Sequence, residues 1–335
     1  MYEKYYGLRE AAFNLTPDPS FLYLNQRSKD ALNQIMYSIE RREGFSVIVG
    51  DIGTGKTTLC WALLDRLAPK NVSTAFIQNP MLSEIEILKS ILQDLGVRPE
   101  RPYDGLDPDE IFSTDWMDGM TKKQLLDRLN HFLVARAQEG AFTVLIVDEA
   151  QNLSLAILEQ LRLLSNLETA KMKLLQIIFV GQLELNSKLN SPVLRQLNQR
   201  ISVRFQTQTL SPKDTDRYIR HRVAAAGGGT RLNFTGGAIR AIWRYSRGYP
   251  RKINLICDRA LMEGYQNRTS TITPNLIRNA ARVLEGKAER RWQSLLPEEW
   301  TRRVIPVAVG FVVLVAIYYF VAHKGLNPLR ALNFL

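Results

Sequence analysis

Eight consecutive residues, Gly50-Asp51-Ile52-Gly53-Thr54-Gly55-Lys56-Thr57, constrain the chain more than any other stretch. They satisfy the G-x-x-x-x-G-K-[ST] pattern, and their surroundings are those that the pattern requires. Phe45 to Val49 is a β-branched and aromatic run suited to a buried parallel strand, and Thr58 to Leu67 carries apolar residues at helical spacing. Strand, glycine loop and helix start together make a phosphate-binding loop. Its glycines bring backbone N–H groups close to an anion, and the following helix points its positive end at the same place. Residues 50–58 are therefore the candidate nucleotide-binding residues. Lys56 would reach the β- and γ-phosphates, and the Thr57 hydroxyl would serve as a ligand to Mg²⁺.

A second anchor lies downstream. Phe142 to Val147 is a continuous apolar run ending on Asp148-Glu149. An aspartate at the carboxyl end of a buried strand is placed to hold Mg²⁺ beside a P-loop, so Asp148 and Thr57 form the expected metal pair. Glu149, pointing elsewhere, could polarise an attacking water. A third run, Lys173 to Val180, ends at Gly181-Gln182, where an amide side chain can sense the γ-phosphate; a glutamine in a surface turn is the plain alternative. Arg195 and Arg200 flank the last core strand, Ser202 to Gln206. They could reach a neighbouring subunit's nucleotide, or lie on a solvated helix face.

Composition is that of a globular protein. Hydrophobic residues make up 45% and charged residues 23%, which excludes a disordered chain. Cys60 and Cys257 sit in separate apolar helical patterns and read as buried thiols in a reducing compartment. The net charge of +11 points to an anionic partner. Residues 102–121 hold six acidic side chains and no basic one, and are expected to form an exposed acidic loop. No secretory signal opens the chain. Val304 to Ala322 runs 19 residues without a charge, about the length that crosses a bilayer. Arg302 and Arg303 precede that run, so the large N-terminal part is expected in the cytoplasm, anchored once in the inner membrane.

Tyr5-Tyr6-Gly7-Leu8-Arg9, Pro17-Asp18-Pro19, the P-loop, Val147-Asp148-Glu149-Ala150-Gln151-Asn152, Val180-Gly181-Gln182 and Gln199-Arg200 resemble the ExeA/GspA-type AAA+ ATPases over about residues 1–285. These are secretion-associated ATPases with relatives at pilus and exopolysaccharide loci. The resemblance implies Mg²⁺ and ATP as ligands and a ring or filament of identical subunits. It implies that Gln182 is a γ-phosphate sensor and Arg200, with Arg195 second, the arginine offered to a neighbour. Gly248-Tyr249-Pro250-Arg251-Lys252 resembles the lid sensor, with Arg251 on the γ-phosphate. Longer members carry a cell-wall domain beyond the membrane helix. Residues 323–335 are too few for one, so peptidoglycan binding is not expected.

The expected fold is thus an α/β P-loop NTPase with a parallel sheet flanked by helices, a C-terminal all-helical lid and one transmembrane helix. Its parts are an N-terminal arm and helix (1–44), the core (45–208), the lid (209–286), a juxtamembrane segment (287–303), the membrane helix (304–322) and a tail (323–335). Helices are expected over Ser28 to Arg41, Ser83 to Leu95, Thr121 to Gln138, Ser154 to Glu168, Ser211 to Ala226, Phe234 to Tyr245, Arg251 to Gln266 and Pro274 to Leu284. The expected activity is ATP hydrolysis driving an envelope secretion, pilus or polysaccharide-export machine. The alternative is a DNA-dependent regulatory ATPase similar to the TniB/TnsC transposition proteins, which the basic charge favours.

Overall fold

Three strands made almost wholly of buried residues form the middle of the molecule: β1 (Phe45–Val49), β3 (Phe142–Val147) and β4 (Gln176–Gly181). The edge strands, β2 (Val72–Ile77) and β5 (Ile201–Gln206), bury fewer of their residues, and β5 alternates half-buried with exposed positions. Continuous apolar runs inside and alternation at the rim are what a sheet covered on both faces requires. All pairings are parallel, and the order is β2-β3-β4-β1-β5. The computed structural model describes residues 2–16, 18–78, 80–97, 115–168, 172–228 and 231–285.

Side-chain alternation along the strands divides the core in two. Ile48, Val144, Ile146, Ile178 and Val180 face helices α2 (Gln26–Glu40) and α3 (Lys56–Leu67). Val47, Val49, Leu145, Val147 and Phe179 face α4 (Glu84–Asp94), α5 (Lys122–Gln138) and α6 (Leu155–Leu164). The start of α4 follows the expected chemistry: Ser83 and Glu86 form a reciprocal capping box. Helix α6 is shorter than its apolar spacing suggests. Ser165 follows its last turn and donates its hydroxyl to the Arg162 carbonyl, and Glu168 then bridges to Lys173. The acidic segment also differs from expectation at its end. Met117 is fully buried in the core, and Asp118 pairs with Lys89 of α4 at 2.6 Å. Residues 102–114 of that segment lie outside the described residues.

Beyond α7 (Glu184–Leu189), α8 (Arg195–Asn198) and β5 comes the lid, α9 (Pro212–Ala225), α10 (Gly236–Ser246), α11 (Pro250–Gln266) and α12 (Pro274–Leu284). It is not wholly helical. Asn233–Phe234 and Thr271–Ile272 pair as short parallel strands, β6 and β7. Phe234 therefore belongs to a strand, and α10 begins after Thr235, whose side chain accepts the Ala238 N–H and offsets the poor helix propensity of Gly236 and Gly237.

The N-terminal segment is built into this lid. Helix α1 (Tyr2–Tyr6) packs on α11; the Tyr6 hydroxyl donates to the Leu261 carbonyl at 3.0 Å, and burial pushes its pKa up to about 12. The Arg9 N–H donates to the Ala226 carbonyl at 2.8 Å. The contact is close enough to need glycine: a Cβ on Gly228 would stand 2.5 Å from Leu8 Cδ2 and 2.8 Å from the Val223 carbonyl oxygen. The glycines after α9 thus do more than stop a helix.

The chain divides into a compact unit, Met1–Ile277, and a second unit, residues 278–335, described here only to Glu285. The apolar run 304–322, the flanking segment 287–303 and the tail lie outside the described residues. Among the described residues no helix is long and apolar enough to cross a membrane.

Gly228→Ala should destabilise the protein by about 1–3 kcal/mol through overpacking. Urea unfolding checks this: the midpoint should fall, and limited proteolysis should cut residues 2–12 faster than in the wild type.

Candidate nucleotide site

The P-loop joins β1 to α3, and its geometry leaves an anion-binding helix end open. Gly55 precedes α3 in the left-handed region and no side chain caps the helix, so its first-turn N–H groups face the cavity unclaimed by any cap. Residues beyond the motif hold the loop's base. The Thr207 N–H donates to the Val49 carbonyl at 2.8 Å, and its hydroxyl meets that of Thr54 at 2.7 Å. A Cβ on Gly50 would fall 1.8 Å from Thr207 Oγ1, which is why the loop must begin with glycine. The motif alone does not reveal Thr207, because its role depends on β5 lying beside β1.

The ammonium of Lys56 donates to the Gly50 and Asp51 carbonyls at 2.9 and 3.0 Å. Burial pulls its pKa down, while the carboxylates of Glu149, Asp148 and Asp51 pull it up less strongly. Across the cavity, Asp148 is buried at the end of β3. One of its oxygens accepts the Thr57 hydroxyl at 2.9 Å and the other accepts the Glu149 N–H at 2.8 Å. Burial pushes the Asp148 pKa above the ordinary carboxylate value, and those two hydrogen bonds oppose it.

The sheet order explains how three separate motifs meet. Strand β4 is inserted between β1 and β3, so Gln182, just past its end, stands between the P-loop and the acidic pair. The Gln182 amide donates to the Glu149 carboxylate at 3.3 Å, and the Gln151 amide donates to it at 2.5 Å. Gln151 Oε1 in turn accepts the Gln182 N–H at 3.0 Å. Glu149 sits at φ 51°, a left-handed conformation that a non-glycine residue holds only when its neighbours fix it. Lys188 helps fix it, donating to the carbonyls of Gln151 and Leu153 at 2.6 and 2.8 Å.

The lid meets the P-loop from above. The Tyr249 hydroxyl donates to the Asp51 carboxylate at 2.9 Å, and Arg251, at the start of α11, packs against Gly53. A cavity of about 310 Å³ lies between these parts. Lys56, Thr57, Thr58, Glu149, Gln182 and Arg251 line it, so one space collects most of the residues singled out by sequence. Arg195 and Arg200 are not brought there. Arg195 is exposed, and the Arg200 guanidinium donates to Ser165 Oγ at 3.2 Å and to the Asn166 side chain. The far wall, Asn14 to Leu22, together with Arg222 and Asn254 of the lid, went unrecognised in the sequence. The prolines at 17 and 19 marked that wall as an extended segment but gave no sign of what it covers.

The residues fit a magnesium ion carried by a nucleotide. Thr57 and Asp148 offer hard oxygen donors 2.9 Å apart. Among the described residues there is no group of three or more His, Cys, Asp or Glu that could cage a metal alone. Magnesium commonly takes one or two protein oxygens and fills its shell with phosphates and water.

Residues 39–189 match the family model described as an AAA domain. That span carries the P-loop and the acidic pair, so the nucleotide site lies within an AAA domain. The chain is 39% identical to General secretion pathway protein A of Aeromonas hydrophila over 298 residues, 88% of this chain and 50% of that protein. It therefore spans about half the length of the curated relative it matches. The fold is similar to that of the Aeropyrum pernix ORC2 protein (TM-score 0.59, 16% identity, 82% of this chain and 72% of the other). It is similar also to Cdc6p of Pyrobaculum aerophilum (TM-score 0.56, 18% identity, 79% and 70%). At these identities the likeness is one of fold, a P-loop NTPase with a parallel sheet flanked by helices.

Asp148→Asn should stabilise the protein without nucleotide at neutral pH, because the amide can donate to Thr57 and removes a buried charge. A carboxyl whose folded pKa is raised loses stability as pH climbs from its unfolded to its folded value. The gain should therefore disappear in acid, where Asp148 is already protonated. Urea midpoints of both proteins at pH 4 and pH 8 check the sign.

Proposed function

We propose that the protein is a membrane-anchored ATPase that hydrolyses Mg²⁺-ATP and drives the assembly or operation of a bacterial envelope secretion, pilus or polysaccharide-export system. The observation that carries the hydrolytic part is the position of Glu149. Residue 149 lines the cavity beside Lys56 and Thr57, and its carboxylate is held by two amides, whereas the Thr57 hydroxyl goes to Asp148. A base kept off the metal and oriented by neighbours can take the proton of an attacking water. Thr57 and Asp148 would hold the magnesium ion, which would supply charge neutralisation on the phosphates. Lys56 leaves the loop carbonyls to bind the β- and γ-phosphates, and Gln182 and Arg251 contact the γ-phosphate from β4 and from the lid. Arg200, with Arg195 as second candidate, completes a neighbouring subunit's site in a homo-oligomer; both lie off the cavity of their own chain, which suits an arginine supplied across an interface.

The printed name of the Aeromonas hydrophila relative supports the link to secretion, and the charge-free run at 304–322 supports the inner-membrane anchor. A second reading, an ATPase dependent on DNA, is favoured by one observation. Residues 209–285 hold 14 Lys or Arg against 5 Asp or Glu, a net charge of +9, while residues 1–208 hold 23 against 25, a net of −2.

Glu149→Gln should bind ATP with affinity close to the wild type while turnover falls by about 10² or more, the range seen for loss of a general base. Equal turnover would remove the hydrolytic mechanism. In mixtures of Arg200→Ala with Lys56→Ala, each inactive alone, partial recovery of turnover is expected because each supplies what the other lacks. Carbonate extraction of membranes separates the two settings: retention in the pellet supports the anchored reading. Release, with turnover stimulated by duplex DNA, favours the second.

A further inference from the structure

Arg222, a buried cation on α9 in the cavity wall, belongs neither to the P-loop nor to the acidic pair. It is 7% exposed; its described hydrogen bonds go to neutral groups, and the Asp18 carboxylate of the same wall feels its charge. Its Nε donates to the Ala12 carbonyl at 2.6 Å, one terminal nitrogen to the Asn14 carbonyl at 3.1 Å, and the other to the Tyr218 hydroxyl at 3.3 Å. The guanidinium carbon lies 4.6 Å from the centre of the Phe21 ring. Asn254 of α11 adds a second bond to the Asn14 carbonyl at 3.3 Å, and the Tyr218 hydroxyl orients Asn254 at 2.8 Å.

The cavity has two chemically distinct ends. One carries Lys56, Thr57, Glu149 and Gln182 and takes phosphates. The other is walled by Asn14, Leu15, Thr16 and Phe21. A nucleotide entering phosphates first turns its nucleoside toward that second wall. We propose that Arg222 is the positioning residue for the nucleoside: it suspends the base-side wall, residues 12–16 and 18–21, from the lid, so that base recognition and lid position become one equilibrium. This inference rests on the ATP reading given above. An arginine suits the task because its planar fork holds two carbonyls at fixed angles while its face stacks on a ring, which lysine cannot reproduce. Arg222 touches no phosphate-binding residue, so it acts through the wall. Phosphate chemistry at the other end is left alone.

The test is steady-state hydrolysis of ATP, GTP and inorganic tripolyphosphate by the full-length protein and its Arg222→Lys and Asn254→Ala variants, each checked for an unchanged melting profile. Arg222→Lys keeps the charge and loses the fork. It should raise the KM for ATP by about tenfold or more, as expected for a lost charge-assisted hydrogen bond. The kcat at saturation should stay within about twofold, the signature of binding lost equally from ground state and transition state. Discrimination of ATP from GTP should shrink, and tripolyphosphate hydrolysis should not change. Asn254→Ala should move the same quantities in the same direction by a smaller factor. A fall in kcat at unchanged KM would overturn the proposal, as would a parallel loss of ATP and tripolyphosphate hydrolysis. If the wild type turns over no ATP, the hydrolytic reading fails separately. Displacement of a fluorescent ATP analogue by ATP and by tripolyphosphate then decides: the preference for ATP should be lost in Arg222→Lys, and its retention would sink the inference.

Discussion

An uncapped helix end governs this structure. An α-helix leaves about four N–H groups unpaired at its start, and α3 begins at Lys56 with no side chain to satisfy them. Water or an anion must do so. Everything nearby keeps the opening free and well shaped: the glycines of the loop, the Thr207 hydroxyl that pins its base, and the lid that closes on Asp51 from the other side. The insertion of β4 between β1 and β3 then brings Gln182 and Glu149 to the same opening from chain segments more than 90 residues away.

Without ligand, the site's charges satisfy one another incompletely. Burial lowers the Lys56 pKa and raises that of Asp148, so each group is pressed toward its neutral form. Carbonyls of the P-loop occupy the lysine, and the threonine hydroxyl occupies the aspartate. These are substitutes of modest strength for a phosphate and a divalent cation.

Sequence reading succeeded where chemistry is local. The P-loop, the strand-end acidic pair, the Ser83 capping box and the Pro212 helix start each depend on a few adjacent residues. It failed where meaning comes from distant contact. Phe234 looked helical because its periodicity continues into α10, yet its backbone pairs with Ile272. The glycines at 227 and 228 make room for Leu8 and Arg9, more than 200 residues away in sequence. Met117 lay in an acidic stretch and is fully buried, because one apolar side chain there suffices to dock on the core. Arg222 had no motif at all: it is one of several arginines in a basic helix, and only the fold shows which of them is buried against residues 12–16 and 18–21.

Because residues 2–14 sit on the lid, the polypeptide passes between lid and core twice. It crosses once on the way into α2 and once between β5 and α9. The two crossings run side by side, with Tyr23, Leu24 and Asn25 lining the same small cavity as Gln206, Gln208 and Leu210. A body joined through one strand can swivel in any direction, whereas one joined at two points turns about the line between them. The lid is therefore held to the core at two neighbouring points, which restricts the directions in which it can turn.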